Sequence, residues 1–478
     1  MQRRPKDVSA LEQLTLWHAA AFFVGATWAF GGNADFVQPY LLLAGAAGAA
    51  ITVAALLLPG ESEFRRRALQ RLWPFLLLNA LTLAALRTPG FRPVTMDGEV
   101  LLLPRYVPPW QPSSALPHLT LIALGLFDSA YLTAMNVFML VRRRRALRLL
   151  LAVMTGNAMA LAVFGTVQKL SGAHGIFFGA VRSPQAFFFA SFVYDNHWGA
   201  FVLLLTSALL GLVWYHAYHG RPRDLAHSPA LTAGLGVLVL AMSVPLSGAR
   251  ICTVLLLALL AGDFLAWVRR LKRQPGSHVR PTLAAAAAVL ALALAGAWYV
   301  GRDVYVARIA KTREQVSHLR AEGDVGFRLR LYRDTWRMAE ARPWFGWGAG
   351  SYSHVFQLYN TARPNPLDRL PRFFHDAHSD WLQAVAEHGL VGAAALALCA
   401  VVPLAIARRR AVNNRLSRRL LAGCAVVLGY ALIEFPFGNF AVLLTWWLLF
   451  LTALRYGILS EQRVDPPAPA PAPGAAPA

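Results

Sequence analysis

The feature that most constrains this chain is a series of apolar stretches, each long enough to cross a lipid bilayer. A membrane-spanning helix needs about 20 consecutive, mostly apolar residues. The chain of 478 residues is 56% hydrophobic and only 15% charged, so it has far more apolar side chains than one soluble core can bury. This pattern predicts an all-α polytopic membrane protein. It excludes a soluble globular enzyme, a disordered chain and a disulfide-rich scaffold.

The apolar stretches predict about twelve transmembrane helices. They cover residues 14–31, 37–58, 72–88, 117–141, 149–170, 197–215, 229–247, 250–268, 281–300, 386–407, 420–437 and 439–458. The chain is thereby divided into helices 1–9 within residues 1–300, a large loop over 301–385, helices 10–12 within 386–458 and a tail over 459–478. The Pro- and Ala-rich tail is predicted to be disordered and without chemistry.

The distribution of basic residues predicts the orientation of these spans. The side that holds both termini carries 27 Lys and Arg residues and the other side carries 19, of which 13 fall in the 301–385 loop. Long translocated loops escape the positive-inside rule, so the relevant comparison is 27 against 6. We therefore expect cytoplasmic termini and an outward-facing large loop, as well as outward segments at 89–116 and 171–196. The net charge of +22 then reflects membrane topology, and no nucleic-acid partner is expected.

An arginine-rich helix is predicted within the large loop, over residues 328–342. At 100° per residue its apolar side chains share one face, which we expect to be packed: Leu329, Tyr332, Trp336 and Ala339. The opposite, solvated face carries Arg330, Arg333, Arg337 and Glu340. Arg328 falls on the apolar side. A guanidinium that points toward packed side chains needs an anionic partner, and an anionic substrate is one candidate.

A second polar cluster ends the same loop, at residues 374–383. Asp380, with Gln383 three residues further on, or else Ser379, is predicted to cap the next helix. His378 then lies at a helix N-terminus, where unpaired N–H groups and the helix dipole favour an anion. A histidine at this place could accept a proton or contact a phosphate. A structural histidine bonded to the backbone fits the pattern equally well.

Two further polar groups stand at the ends of spans. Arg250 follows Pro245 at the edge of the hydrocarbon, where snorkelling to the interface is the alternative to a functional role. Asn196 and His197 open the sixth span, and residues of this kind also cap helices or anchor the interface. Both groups are predicted on the outward side, together with the large loop.

Metal and nucleotide sites find little support in the sequence. The histidines at 375 and 378 stand beside two aspartates, but a closed zinc site needs more ligands, and His-Glu-x-x-His is absent. The glycine run at 346–350 lacks the preceding strand and the following Lys-Ser/Thr of a phosphate-binding loop. We predict no metal and no cofactor. Three free thiols are expected in the membrane: Cys252, Cys399 and Cys424.

Taken in order, these segments resemble the O-antigen ligase and O-antigen polymerase family of bacterial membrane glycosyltransferases. The family commonly shows N-x-N-x-x-A and S-x-S-R segments. An outward loop then carries an arginine before an aromatic helix, P-x-x-G-x-G-x-G-x-[FY], and H-N-x-x-L-x-x-x-x-E-x-G-x-x-G. The counterparts here are residues 194–200, 247–250, Arg328, 343–352 and 378–392. Tyr194 and Ser379 stand where the family usually has asparagine.

The resemblance implies a GT-C-like fold in the bacterial inner membrane and a role in polysaccharide or lipopolysaccharide biosynthesis. An undecaprenyl-diphosphate-linked glycan would be transferred, with inversion and without a metal, to a hydroxyl on the periplasmic face. The acceptor would be a glycan, a lipid A core or a protein. Arg250 and Arg328 would hold the diphosphate, and His378 would be either the base or a phosphate ligand. Further substrate contacts would come from Arg330, Asn196, His375, Asp380 and His197.

A different class of function is also compatible with this layout. Twelve spans with both termini inside are common in carriers, so a transporter or flippase of lipid-linked or anionic glycans is the alternative. Carriers usually place ligand groups near the bilayer midplane and often show two similar halves. This chain instead concentrates its polar residues in one outward loop and shows no evident repeat.

Overall fold

The computed structural model describes residues 10–58, 62–96, 99–185, 187–219, 229–271, 306, 327–362 and 372–461. The predicted ninth span at 281–300 lies outside these ranges, as do most of the large loop before residue 327 and residues 462–478 of the predicted tail. The described residues form mainly α-helices, as predicted.

Thirteen α-helices occupy the described ranges. They are α1 (Ala10–Trp28), α2 (Gln38–Leu57), α3 (Ser62–Leu86), α4 (Pro117–Leu140), α5 (Arg144–Leu170), α6 (Asp195–His219), α7 (Pro229–Ser247), α8 (Arg250–Leu271), α9 (Phe327–Ala341), α10 (Tyr352–Val355), α11 (Asp380–Asn413), α12 (Arg415–Tyr430) and α13 (Phe440–Glu461). The all-α prediction missed two local antiparallel hairpins in the predicted outward segments. They pair β1 (Phe91–Met96) with β2 (Glu99–Pro104), and β3 (Gly175–Ile176) with β4 (Val181–Arg182).

Nine of the helices in the described ranges are long and apolar enough to cross a membrane. They are α2 to α8, α11 and α13. Two predicted spans fall outside this group: α1 carries Glu12, Gln13 and His18, which lower its hydropathy, and α12 has only 16 residues. The protein is therefore an integral membrane protein by helix length and composition, and the count of twelve spans stays a prediction.

The centre of the bundle is formed by α6 and α13, which are buried along almost their whole length. Helix α6 packs against α7 and α12, whereas α13 packs against α4, α11 and α12. Both central helices are apolar on all sides, as expected for helices surrounded by other helices rather than by lipid. By contrast, α8 is the least buried of the nine candidate spans.

Basic connections gather at one end of the bundle. The Arg142 N–H, just after α4, donates to the Glu12 carboxylate near the start of α1 (3.0 Å). Arg455 near the end of α13 donates to the Val141 carbonyl just after α4 (2.6 Å), and Arg419 of α12 pairs with Asp263 of α8 (2.6 Å). Helix α1 therefore begins, and α13 ends, at this basic end. Its cytoplasmic orientation stays a prediction.

The connection between α12 and α13 differs from the prediction. The sequence pattern placed residues 420–437 in one span, but α12 ends at Tyr430 and residues 431–439 form a turn that precedes α13. Pro436 and Gly438 keep this turn from continuing as one helix into α13, since proline lacks an N–H and glycine disfavours helical backbone. Glu434 was predicted to lie within a membrane span. It lies instead in this turn, at the helix ends opposite the basic end.

Candidate functional site

The candidate site lies at the helix ends opposite the basic end. Three segments meet there: the start of α9, residues 374–380 before α11, and the 431–439 turn between α12 and α13. The start of α6 packs beside them, because the His197 ring contacts the Phe435 ring and shares a hydrogen bond with its carbonyl (3.2 Å). Residues distant in sequence are thereby brought to one place.

Helix α9 packs with a different face from the one predicted. Leu329 and Trp336, expected to be packed, are 56% and 52% exposed. Ala339 is buried as predicted, and the other buried side chains are Leu331, Asp334, Thr335 and Met338. Thr335 shares a hydrogen bond with the Tyr352 hydroxyl (2.8 Å), and the Asp334 carboxylate accepts from Thr361. These hydrogen bonds to the segment after α9 favour burial of a face that carries both polar and apolar side chains. Hydropathy alone does not predict that such a face is buried.

Arg328 has the anionic partner that its position required, and that partner belongs to the protein. The guanidinium donates to the Glu434 carboxylate and to the Ile433 carbonyl (3.1 Å). The Glu434 side chain is only 2% exposed, whereas that of Arg328 is 44% exposed. One edge of the guanidinium is therefore anchored while the rest remains accessible to an anion from outside.

His378 meets the same carboxylate from the other side. Its Nδ1 lies 3.3 Å from Glu434 Oε2, and its side chain is 26% exposed. The backbone of His378 is left-handed (φ +51°), and its carbonyl accepts a hydrogen bond from the Tyr332 hydroxyl (2.9 Å). We call Arg328, Glu434 and His378 the Glu434 bridge.

Helix α11 begins directly after this histidine. Ser379, not Asp380, is its N-cap, since the Ser379 hydroxyl accepts from the Leu382 N–H (3.3 Å). His378 therefore precedes the cap by one residue. The Gln383 side chain accepts from the Ala377 N–H (3.1 Å), so the capping interactions also order the backbone on either side of His378.

Asp380 and His197 both contact the 431–439 turn. The Asp380 carboxylate accepts from the Phe437 N–H (2.9 Å), and the Asp380 N–H donates to the Ala431 carbonyl (3.0 Å). The Phe435 ring lies edge-on to the rings of His197 and His378 (5.1 and 4.9 Å between centroids). These contacts hold Glu434 in place from both of its flanks.

The start of α8, where Arg250 lies, contacts the Asn196 backbone at the start of α6. Arg250 is the first residue of α8, and the Cys252 thiol one half-turn later donates to the Asn196 carbonyl (3.8 Å). The Asn196 amide in turn donates to the Tyr194 hydroxyl (2.9 Å). Burial raises the pKa of Tyr194, and the negative charge of Glu434 raises it further. The start of α8 is thus linked to the surroundings of the bridge through α6.

The remaining predicted site residues are more peripheral. His375 is exposed and packs against the Phe373 ring (4.8 Å), and Arg330 is half-buried two residues after Arg328 on α9. Between His375 and His378, Asp376 has its pKa raised by burial, although the two neighbouring histidines act in the opposite direction. The structure therefore joins Arg328, His378, Asp380 and His197 closely, with Arg330 and His375 at the outer rim.

Residues 235–397 match the model of the O-antigen ligase family. The match confirms the resemblance predicted from the motifs. It covers most of α7, then α8, α9, α10 and the first half of α11, and so contains Arg250, Arg328 and His378. A search of curated proteins found no match to this chain.

Glu434 was not among the predicted site residues, and it lies beyond the O-antigen ligase match. Its available signal was a single carboxylate followed by Phe435-Pro436-Phe437-Gly438, a turn-forming segment at the predicted outward end of a span. Among the described residues, no three His, Cys, Asp or Glu side chains form a group that could hold a metal ion. The charged groups at the centre of the site are instead paired with one another.

Proposed function

We propose that this protein transfers a glycan from an undecaprenyl-diphosphate-linked donor to an acceptor hydroxyl at the periplasmic face of a bacterial inner membrane. The O-antigen ligase match indicates glycan transfer of the ligase or polymerase type. The observation that carries the proposal is the Glu434 bridge, in which an arginine and a histidine meet on one buried carboxylate and both stay partly exposed.

His378 is the proposed base. The acceptor oxygen attacks the anomeric carbon of the donor sugar, the bond from that carbon to the diphosphate oxygen breaks, and the acceptor proton passes to His378. A single displacement of this kind inverts the anomeric centre. General-base catalysis contributes about 10²–10⁴-fold to rates, and the exposed part of the imidazole gives an acceptor access to it.

Arg328 and Arg250 are the proposed contacts to the diphosphate leaving group. Negative charge concentrates on that group as the glycosidic bond breaks, and guanidinium groups bind phosphate oxygens in a planar, bidentate manner. Arg328 keeps an accessible edge while its other donors hold Glu434 and Ile433. Arg250, at the start of α8, would approach the same group from the α6 side.

The other predicted residues take two kinds of role in this proposal. We propose that three residues at the edges of the site contact substrate: Arg330, Asn196 and His375. Asp380 and His197 are proposed to act mainly by fixing the 431–439 turn, because their side chains bond to its backbone.

The position of the site also argues for transfer rather than transport. The bridge lies at helix ends and not halfway along the nine candidate spans, whereas carriers usually place ligand groups near the bilayer midplane. An acceptor from the aqueous side and a lipid-linked donor from the membrane can both reach such a place.

The test uses purified protein in nanodiscs with an undecaprenyl-diphosphate glycan and candidate acceptors, with and without a chelator. The wild type should consume donor and yield a longer glycan or a glycan–acceptor conjugate, at the same rate with chelator. His378→Ala and Arg328→Ala should each lower transfer at least about 100-fold, as expected for loss of a catalytic base or a charge-stabilising group.

His174→Ala is the matched control, because His174 is an exposed residue in the connection between α5 and α6 and is not among the predicted site residues. It should retain the wild-type rate. Donor that binds to the wild type but is never consumed with any acceptor would contradict glycan transfer. Near-wild-type transfer by His378→Ala would contradict the role of His378 alone.

A further inference from the structure

Each oxygen of the Glu434 carboxylate contacts one of the two residues that the proposed reaction uses. Oε1 accepts from Arg328, and Oε2 faces Nδ1 of His378 at 3.3 Å. With a side chain only 2% exposed, Glu434 is shielded from solvent and from any substrate. It therefore acts through its two neighbours and not by direct contact with reacting atoms.

The chemistry of the three groups fixes where the protons lie. Arginine is always charged and only donates hydrogen bonds, so the carboxylate opposite Arg328 is ionised and only accepts. Nδ1 of His378 must therefore carry the hydrogen that points at Oε2. In the neutral imidazole, the lone pair then belongs to Nε2, which is the nitrogen that can take a proton from an acceptor.

We infer that Glu434 is a positioning residue, which selects the reactive tautomer of His378 and at the same time anchors Arg328. This inference rests on the proposed function. When His378 takes up a proton from the acceptor, the imidazolium lies directly against the buried Glu434 carboxylate. One side chain thus couples the proposed base to the proposed leaving-group contact.

The contacts around Glu434 support this role. Its main chain lies between the Asp380–Ala431 and Asp380–Phe437 hydrogen bonds, and the next residue, Phe435, packs against the rings of Tyr194, His197 and His378. The ionisable groups that surround His378 come from each packed element: Glu434 from the turn, Arg328 and Tyr332 from α9, Tyr194 and His197 from the start of α6, and Asp376 from its own segment.

The decisive variant is Glu434→Gln, which keeps the size of the side chain. Its amide oxygen can still accept from Arg328, but its NH₂ group then faces Nδ1 of His378 and favours the tautomer with the hydrogen on Nε2. We expect the kcat of transfer to fall about 100-fold, within the range that general-base catalysis contributes, with less than about a threefold change in donor KM.

Comparison with Glu434→Asp separates this role from a structural one. The shorter carboxylate still offers acceptor oxygens to Arg328 and to Nδ1 of His378. Its kcat should therefore fall less than that of Glu434→Gln, although it falls because the carboxylate is withdrawn by one methylene, and its donor KM should stay within about threefold of the wild type.

Glu340→Gln is the control, since Glu340 lies on the exposed face of α9 and accepts a hydrogen bond from Trp336 in the same helix (2.6 Å). It should keep the wild-type kcat and donor KM. A kcat of Glu434→Gln within threefold of the wild type would overturn the inference, as would full activity of Glu434→Asp if the Gln variant fails to fold. A wild type without transfer activity would instead refute the proposed function.

Discussion

At the scale of single residues, the Tyr332 phenol is one of the groups that hold His378 in place. Tyr332 donates its hydroxyl to the His378 carbonyl (2.9 Å), and His378 holds a left-handed backbone (φ +51°) that costs a non-glycine residue about 1–3 kcal/mol. Loss of a neutral hydrogen bond costs about 0.5–1.5 kcal/mol. Tyr332→Phe should therefore lower the transfer rate about 2–10-fold, measured at saturating donor in nanodiscs.

The pH dependence of this effect follows from the burial of Tyr332. Burial raises the pKa of the phenol above its ordinary value. A group with a raised folded pKa keeps its proton, and the stability that depends on it, until the pH rises through that raised value. The ratio of the Tyr332→Phe rate to the wild-type rate should thus stay constant between about pH 6 and pH 9. A ratio that approaches one by pH 8 would contradict this role of the hydroxyl.

Individual residues were predictable to different degrees for physical reasons. Arg328 and His378 stood out because each occupies a place where its type is unusual, an apolar helix side and a helix start. Glu434 did not, because hydropathy averaged over 420–437 hides one carboxylate among apolar neighbours. Its importance arises from contacts with residues far away in the chain, and a pattern of period 3.6 contains no information on such contacts.

At the scale of elements, the glycine-rich turn at 346–350 packs tightly against the first part of α11. Gly389 interrupts the helical geometry of α11 (φ +63°), and a Cβ there would lie 2.4 Å from the Trp344 carbonyl carbon. A Cβ at Gly346 (φ +66°) would lie just as close to the Glu387 carbonyl, and the Gly348 N–H donates a hydrogen bond to that carbonyl (2.8 Å). The sequence predicted a tight, close-packed turn at 346–350, but only the structure shows that α11 itself is its partner.

Gly389→Ala should consequently destabilise the protein. A side chain at positive φ costs about 1–3 kcal/mol, and the contact with backbone atoms cannot be relieved by a rotamer change. We expect a Tm in detergent lower by several degrees, measured by thermal unfolding. Gly156→Ala is the matched control, because a Cβ at Gly156 in α5 meets nothing within 4 Å, and alanine favours a helix over glycine by about 1 kcal/mol. Equal Tm values for the two variants would contradict the interlocking of the turn and α11.

At the scale of the whole molecule, helix spans were the easiest feature to predict, because about 20 apolar residues leave few alternatives to a buried or membrane-spanning helix. The exact helix ends were harder, as α12 and the 431–439 turn show, since proline and glycine near a span end act locally while hydropathy is averaged. The structure adds that the basic connections and the Glu434 bridge occupy opposite ends of one bundle. A single measurement of sidedness therefore orients all of these features together.

Cysteine labelling in intact cells makes that measurement. The native cysteines are all buried, so a membrane-impermeant maleimide should give little background. Leu358 and Tyr106, on the side of the bridge, are 56% and 86% exposed, and Arg409 is an exposed residue near the C-terminal end of α11, at the basic end of the bundle. Because positive charge is retained in the cytoplasm, Leu358→Cys and Tyr106→Cys should react in intact cells and Arg409→Cys only after permeabilisation. The reverse pattern would place the Glu434 bridge in the cytoplasm, where nucleotide sugars would replace lipid-linked glycans as the available donors.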